Sequence, residues 1–160
     1  MKIKKYLFIL LLLFNMLIFA GEQPQKFEEG YMLIDVKRKV KDDFFGVFLN
    51  YETNKVYIGL RRFLDLIELP GIEIDTKKEI VSGTIKKDFF RRKKEKKVYW
   101  EFDRERSFIK NGELYIEAGI LPEIIPITYI DWDLDEYKVT VVPNFYLGIE
   151  VRENTEKKKE

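Results

Sequence analysis

"NKVYIGLRRFLDLIELPGIEIDTKKEIVSGTI" runs from Asn54 to Ile85, and its apolar period changes along the way. Lys55 to Ile58 is strand-like. Leu60, Phe63, Leu64 and Ile67 then fall at helical spacing on one face, with Arg61, Arg62, Asp65 and Glu68 taking much of the other. Pro70-Gly71 stops the helix, because proline cannot continue it and glycine relaxes the turn. Ile72-Glu73-Ile74 alternates again, Asp75 to Lys78 is a turn, and Ile80 to Ile85 is the returning strand. The unit is strand, short helix, strand, turn, strand.

Working outward, the same order returns 58 residues later, over 112–142, with no gap. Leu114, Tyr115 and Ile116 follow Val56, Tyr57 and Ile58; Ile130, Trp132 and Asp133 follow Ile72, Ile74 and Asp75; Val139 follows Val81. Ile120 to Ile125 takes the helix place, cut short by Pro122 and Pro126. What repeats is a set of core positions and a turn aspartate. The expected fold is therefore α+β: two strand-helix-hairpin repeat units, 54–85 and 112–142, bridged by a β-rich insert, with a mostly antiparallel sheet. A unit this small cannot bury its own helix and sheet face, and pairing two supplies the core.

The flanks fit one domain over residues 31–151. Tyr31 to Val40 alternates, with Met32, Ile34 and Val36 on one face. Val47 to Leu49 and Lys55 to Ile58 form a hairpin pattern around Asn50 to Asn54. Within the insert, Val98, Trp100 and Phe102 give a strand one apolar face, and Asn111-Gly112 is a strong turn pair. Residues 21–30 are expected to be a flexible leader and 152–160 a disordered charged tail.

"MKIKKYLFILLLLFNMLIFA", residues 1–20, has a basic start, an apolar run of about 14 residues and a closing alanine. That order predicts a cleaved secretory signal; the run is short of the roughly 20 residues that span a bilayer. No transmembrane span is expected after cleavage. The expected location is the periplasm or the cell surface. With the three signal lysines removed from 29 Lys and Arg, against 28 Asp and Glu, the net charge is −2. No global field draws the chain to nucleic acid or acidic membrane, so electrostatic function must come from local clusters.

There is no Cys and no His. Disulfides, thiol and imidazole nucleophile pairs, imidazole metal sites and the usual neutral-pH general base are all excluded. The chain is expected to be non-catalytic, with no cofactor and no metal. "DWDLDE", Asp131 to Glu136, is not an EF-hand: the glycine and glutamate places hold Glu136 and Val142. Glu101, Asp103 and Glu105 alternate as on the wet face of a strand. Trp100 and Trp132 are expected to point inward.

"KKDFFRRKKEKK", Lys86 to Lys97, is the one local cluster, with eight basic residues against two acidic ones. Phe89 and Phe90 are interleaved and could stack or insert. The candidate anion-binding residues are Lys86, Lys87, Phe90, Arg91, Arg92, Lys93 and Lys94. The bland alternative is a solvated hairpin tip whose charges deter edge pairing. Nucleic acid is set aside, because an exported chain rarely meets it.

Tyr57, Ile58, Leu60, Leu64, Ile74, Asp75 and Val81, with Tyr115, Ile116, Ile125, Trp132, Asp133 and Val139, form a pattern that resembles the copper amine oxidase-like N-terminal domain. That family is a small α+β accessory module of exported bacterial proteins. Two units joined by an insert after "VSG", together with "FFGVFLN" (44–50), are similar to the periplasmic N-terminal region of usher-like outer-membrane proteins that assemble pili. The resemblance covers about 31–151 and implies a protein partner in the envelope, a pilin-like subunit or an outer-membrane barrel. It carries no copper with it, since a chain without His and Cys has no copper site of the usual kind. The other partner class is an envelope glycan or anionic lipid, held through 86–97.

Overall fold

The structure, a computed structural model, describes residues 27–92 and 94–157. The expected signal peptide and residues 21–26 of the expected leader lie outside them. Ten strands follow in order: β1 (Glu28–Val36), β2 (Val40–Asn50), β3 (Lys55–Gly59), β4 (Ile72–Asp75), β5 (Ile80–Ile85), β6 (Lys96–Glu101), β7 (Ser107–Lys110), β8 (Glu113–Glu117), β9 (Ile127–Asp133) and β10 (Lys138–Pro143). Three short helices join them: α1 (Leu60–Leu66), α2 (Leu121–Ile124) and α3 (Gly148–Glu156). The balance is mostly β rather than evenly α+β.

Seven strands form one sheet in the order β7-β8-β3-β2-β1-β10-β9, and β4-β5-β6 form a second. Every neighbouring pair is antiparallel except β1–β10, which is parallel. The large sheet curls. Trp132, on its β9 edge, donates its indole N–H to the Asn54 carbonyl of the β2–β3 loop at 3.0 Å. That contact leaves Trp132 half-buried, whereas Trp100 is buried as expected.

Period explains the burial. Met32, Ile34 and Val36 of β1 point inward with Phe45, Val47 and Leu49 of β2, and all six are buried. Leu60, Phe63 and Leu64 press α1 into the same core, and the helix ends before Pro70 as its sequence requires. Val81, Val98 and Trp100 bring the small sheet onto it.

Both hairpins turn in the same way. The Asp75 carboxylate oxygen accepts the N–H groups of Lys77 and Lys78 at 3.0 Å each; that of Asp133 accepts those of Asp135 and Glu136 at 2.8 and 2.9 Å. Glu79 and Tyr137 close the two turns in the left-handed region, at φ 56° and 50°. Asp75 opposes Ile80, and Asp133 opposes Lys138. These Asx turns satisfy backbone donors that the short loops would otherwise leave unpaired.

Both expected unstructured ends are shorter than the sequence suggests. Glu28 to Gly30, placed in the leader by their polarity, pair with Leu49, Phe48 and Val47 of β2. Phe27 stacks on Phe108 at 4.8 Å between ring centroids. The tail expected to be disordered from 152 is helical to Glu156, because Arg152 pairs with the carboxylate of Glu68 and holds that turn to α1's end. Residues 158–160 lie outside the described range.

Phe27, Phe48, Tyr57, Phe108 and Tyr115 form an aromatic cluster on the outer face of β2, β3, β7 and β8. Tyr57 is 1% exposed, and its hydroxyl has no hydrogen-bond partner among the described residues. A buried hydroxyl without a partner costs stability. Tyr57→Phe should therefore raise stability by about 0.5–1 kcal/mol, read as a higher urea midpoint at unchanged slope. A loss would show that the hydroxyl is bonded.

Candidate functional site

The basic segment is the connection between β5 and β6, and it is anchored rather than floating. Lys87 to Phe89 make a 3-10 turn. Phe89 is buried in the core, so it is not available to stack on or insert into a partner, as its position among the charges had suggested. Its carbonyl accepts the Tyr146 N–H at 2.8 Å. The Phe90 ring lies 6.3 Å from that of Phe145 at 64°, leaving Phe90 half-buried. Two aromatics thus fix where Arg91 and Arg92 leave the core.

A groove of about 790 Å³ opens beside this anchor. Phe90, Arg91, Arg92 and Lys94 form one wall, continued by Glu95 and Lys96 at the start of β6. Pro143 to Tyr146, leaving β10, form the other, and Lys37 and Glu150 close the end. Four of the seven candidate residues therefore converge there. Lys86 and Lys87 are exposed but stand off the groove, and Lys93 lies outside the described residues.

Lys37 reaches the site through an unusual turn. Lys37 and Arg38 both sit in the left-handed region, at φ 54° and 59°, where side chains other than glycine, asparagine and aspartate are uncommon. The Arg38 N–H bonds to the carboxylate of Asp35 at 2.9 Å, and the Lys37 N–H bonds to the Val141 carbonyl at 2.9 Å. The Lys39 N–H closes the turn on the Val36 carbonyl at 3.0 Å, so the two left-handed residues are the pair that a tight β1–β2 hairpin turn demands. The Lys37 ammonium donates to the Phe145 carbonyl and lies 3.4 Å from Glu150.

Glu150 is the interior charge of the groove. Its carboxylate accepts the Leu147 N–H at 2.8 Å and pairs with Lys39 at 3.0 Å as well as with Lys37. Burial pushes its acidity toward the neutral form; the Leu147 N–H, Lys39 and Lys37 outweigh that and hold the carboxyl below the ordinary 4.5. Helix α3 begins against α1: a Cβ on Gly148 would come within 2.3 Å of Glu68's own Cβ.

A carboxylate whose acidity is strengthened by folding stabilises the fold fully above its unfolded pKa. It loses that contribution as pH falls through the folded value. Wild type should therefore be more stable than Glu150→Gln at neutral pH, and the gap should close as pH drops below 4.5. Urea titrations of both proteins across that range check it. A gap that persists in acid would assign the role of Glu150 to packing.

None of the basic segment's described Lys and Arg residues makes an ion pair, although Lys37, Lys39, Lys55, Arg62, Arg106 and Arg152 elsewhere all do. Around the groove five cations face two carboxylates, one of which, Glu150, is already held. An excess of positive charge beside aromatic rings can hold an anion in partly desolvated surroundings.

Other acids lack such a setting. Asp103 is held by Arg106 at 2.7 Å, which keeps its carboxyl below the usual range, and Glu101 accepts the Tyr99 hydroxyl at 2.8 Å. Among the described residues no three metal-ligating side chains converge, and no helix is long and apolar enough to cross a membrane. No family model, curated protein or solved structure matches the chain.

Sequence reasoning found the segment but not the site's other half. Lys37, Asn144, Phe145, Tyr146 and Glu150 arrive from sequence positions at least 47 residues away from it. The only local hint was Pro143-Asn144, a loop signal directly after a strand.

Proposed function

We propose that this chain is a non-catalytic binding module of the cell envelope that holds an anionic partner in the groove lined by Phe90, Arg91, Arg92 and Lys94. The observation that carries this is the convergence of Arg91, Arg92 and Lys94, all without ion pairs among the described residues, with Lys37 and the Phe90–Phe145 pair. The signal-like start motivates export to the periplasm or cell surface. The framework is read as a duplicated strand-helix-hairpin unit. Support comes from turn geometry at one constant offset: Asp75 and Asp133, Glu79 and Tyr137, and the left-handed Asn54 and Gly112.

On the resemblance to the copper amine oxidase-like N-terminal domain, the partner is an acidic surface of a pilin-like subunit or an outer-membrane barrel. A second reading, an envelope glycan or an anionic lipid headgroup, is favoured by the ring of Phe90 standing among the cations. The test is retention of the protein on isolated envelope as salt rises, with photo-crosslinking from Phe90 to identify what is held. Strong salt sensitivity with a discrete adduct supports the proposal. Salt-indifferent retention, or no adduct from Phe90, would move the search to the free edge of β9.

A further inference from the structure

We propose that the groove takes an acidic sugar: a saccharide ring bearing a carboxylate or a phosphate. This rests on the anion-site reading above and names its ligand class. Three features share one small volume. Arg91, Arg92 and Lys94 supply charge without internal partners among the described residues. Phe90 supplies a half-buried ring, steadied by Phe145. The lining also holds Glu95, Asn144 and Glu150, all able to accept hydrogen bonds.

The acceptors decide the class. A site for a bare anion or an acidic peptide gains nothing from Glu95, which repels the ligand. A sugar carries hydroxyl donors beside its acid group, and a carboxylate is the strongest acceptor a side chain offers them. Glu150 is built for the same work. One oxygen takes the Leu147 N–H and Lys37, and the other takes Lys39, which leaves that oxygen room for one more donor. The apolar C–H face of a sugar ring suits Phe90. A lipid headgroup would use the same cations, but insertion into the membrane would add a free apolar wedge, and here Phe89 is buried and Phe90 leans on Phe145.

The experiment is calorimetric titration of the purified protein at about 0.15 M salt, near the screening of a physiological medium. The probes are tetragalacturonate, glucose 6-phosphate, neutral galactotetraose, a tetraglutamate peptide and phosphatidylglycerol vesicles. One of the two acidic sugars should bind at least about tenfold tighter than the neutral sugar, the peptide and the vesicles. Phe90→Ala should weaken it about tenfold, and Phe90→Leu, which keeps the apolar bulk, nearly as much. Glu95→Gln should weaken the sugar yet strengthen the peptide, opposite signs that a purely structural role would not produce. Tightest binding by the peptide or the vesicles overturns the sugar and keeps the anion site. Binding by none of the charged probes overturns both.

Discussion

Gly83→Ala should unfold this protein or come close to it. Gly83 sits on β5 opposite Ile72, at φ 155°. A Cβ built there falls 1.9 Å from the Gly71 carbonyl oxygen, 2.9 Å from its carbon and 3.0 Å from the Ile72 Cα. All three are backbone atoms, so no rotamer change relieves the contact. Gly71 is itself committed, at φ 85° with its carbonyl accepting the Thr84 N–H at 2.9 Å. The start of β4 pairs with β5 here, just after α1, and separating the two strands would pull Ile72, Val81 and Ile85 from the core.

Forced overpacking against backbone costs about 3 kcal/mol or more, a large fraction of a small domain's total stability. Gly112→Ala is the internal comparison. Its φ of 79° is equally unsuited to a side chain, but nothing lies within 4 Å of the added carbon. It should cost only about 1 kcal/mol, the conformational part alone. Urea unfolding of the two variants separates crowding from conformation. Equal losses would mean that β4 and β5 do not approach as tightly as the distances require. Since β5 feeds directly into the basic segment, Gly83→Ala should also lose the groove.

Which parts of this were legible in the chain follows from the range of the forces involved. Alternation placed Met32, Ile34 and Val36, and three-four spacing placed Leu60, Phe63 and Leu64, because burial of a regular element is written in its own period. Asn111-Gly112 marked its turn because only a few residue types tolerate that backbone. Phe89 was misread because its neighbours are charged, and a single aromatic has no period to show which way it faces. Residues 28–30 and 152–156 were misread because pairing with β2 and the Arg152–Glu68 bridge override local polarity. The parallel β1–β10 contact joins strands about a hundred residues apart in a chain of 160, and no local pattern encodes it. That contact brings Lys37 to Phe145, so half the groove depended on a feature invisible at short range.

Reversing the charge of Arg91 and Arg92 together should abolish the binding activity while leaving the fold intact. Both side chains are exposed and make no ion pair among the described residues, so Arg91→Glu with Arg92→Glu should change stability by no more than about 0.5 kcal/mol. In the groove the effect is large, because two attractive charges become two repulsive ones beside Lys94 and Lys37. A loss of about a hundredfold in affinity for an anionic partner is expected, with a flatter dependence on salt. The decisive comparison is Lys86→Glu with Lys87→Glu, which makes the same change in net charge on residues that stand off the groove. If geometry governs, this second pair should lose only about threefold, because charges that do not line the groove act on the ligand through more screening solvent. Equal losses would show that the segment attracts partners by its overall charge and that the groove is incidental. No loss in either pair would remove residues 86–97 from the binding surface altogether.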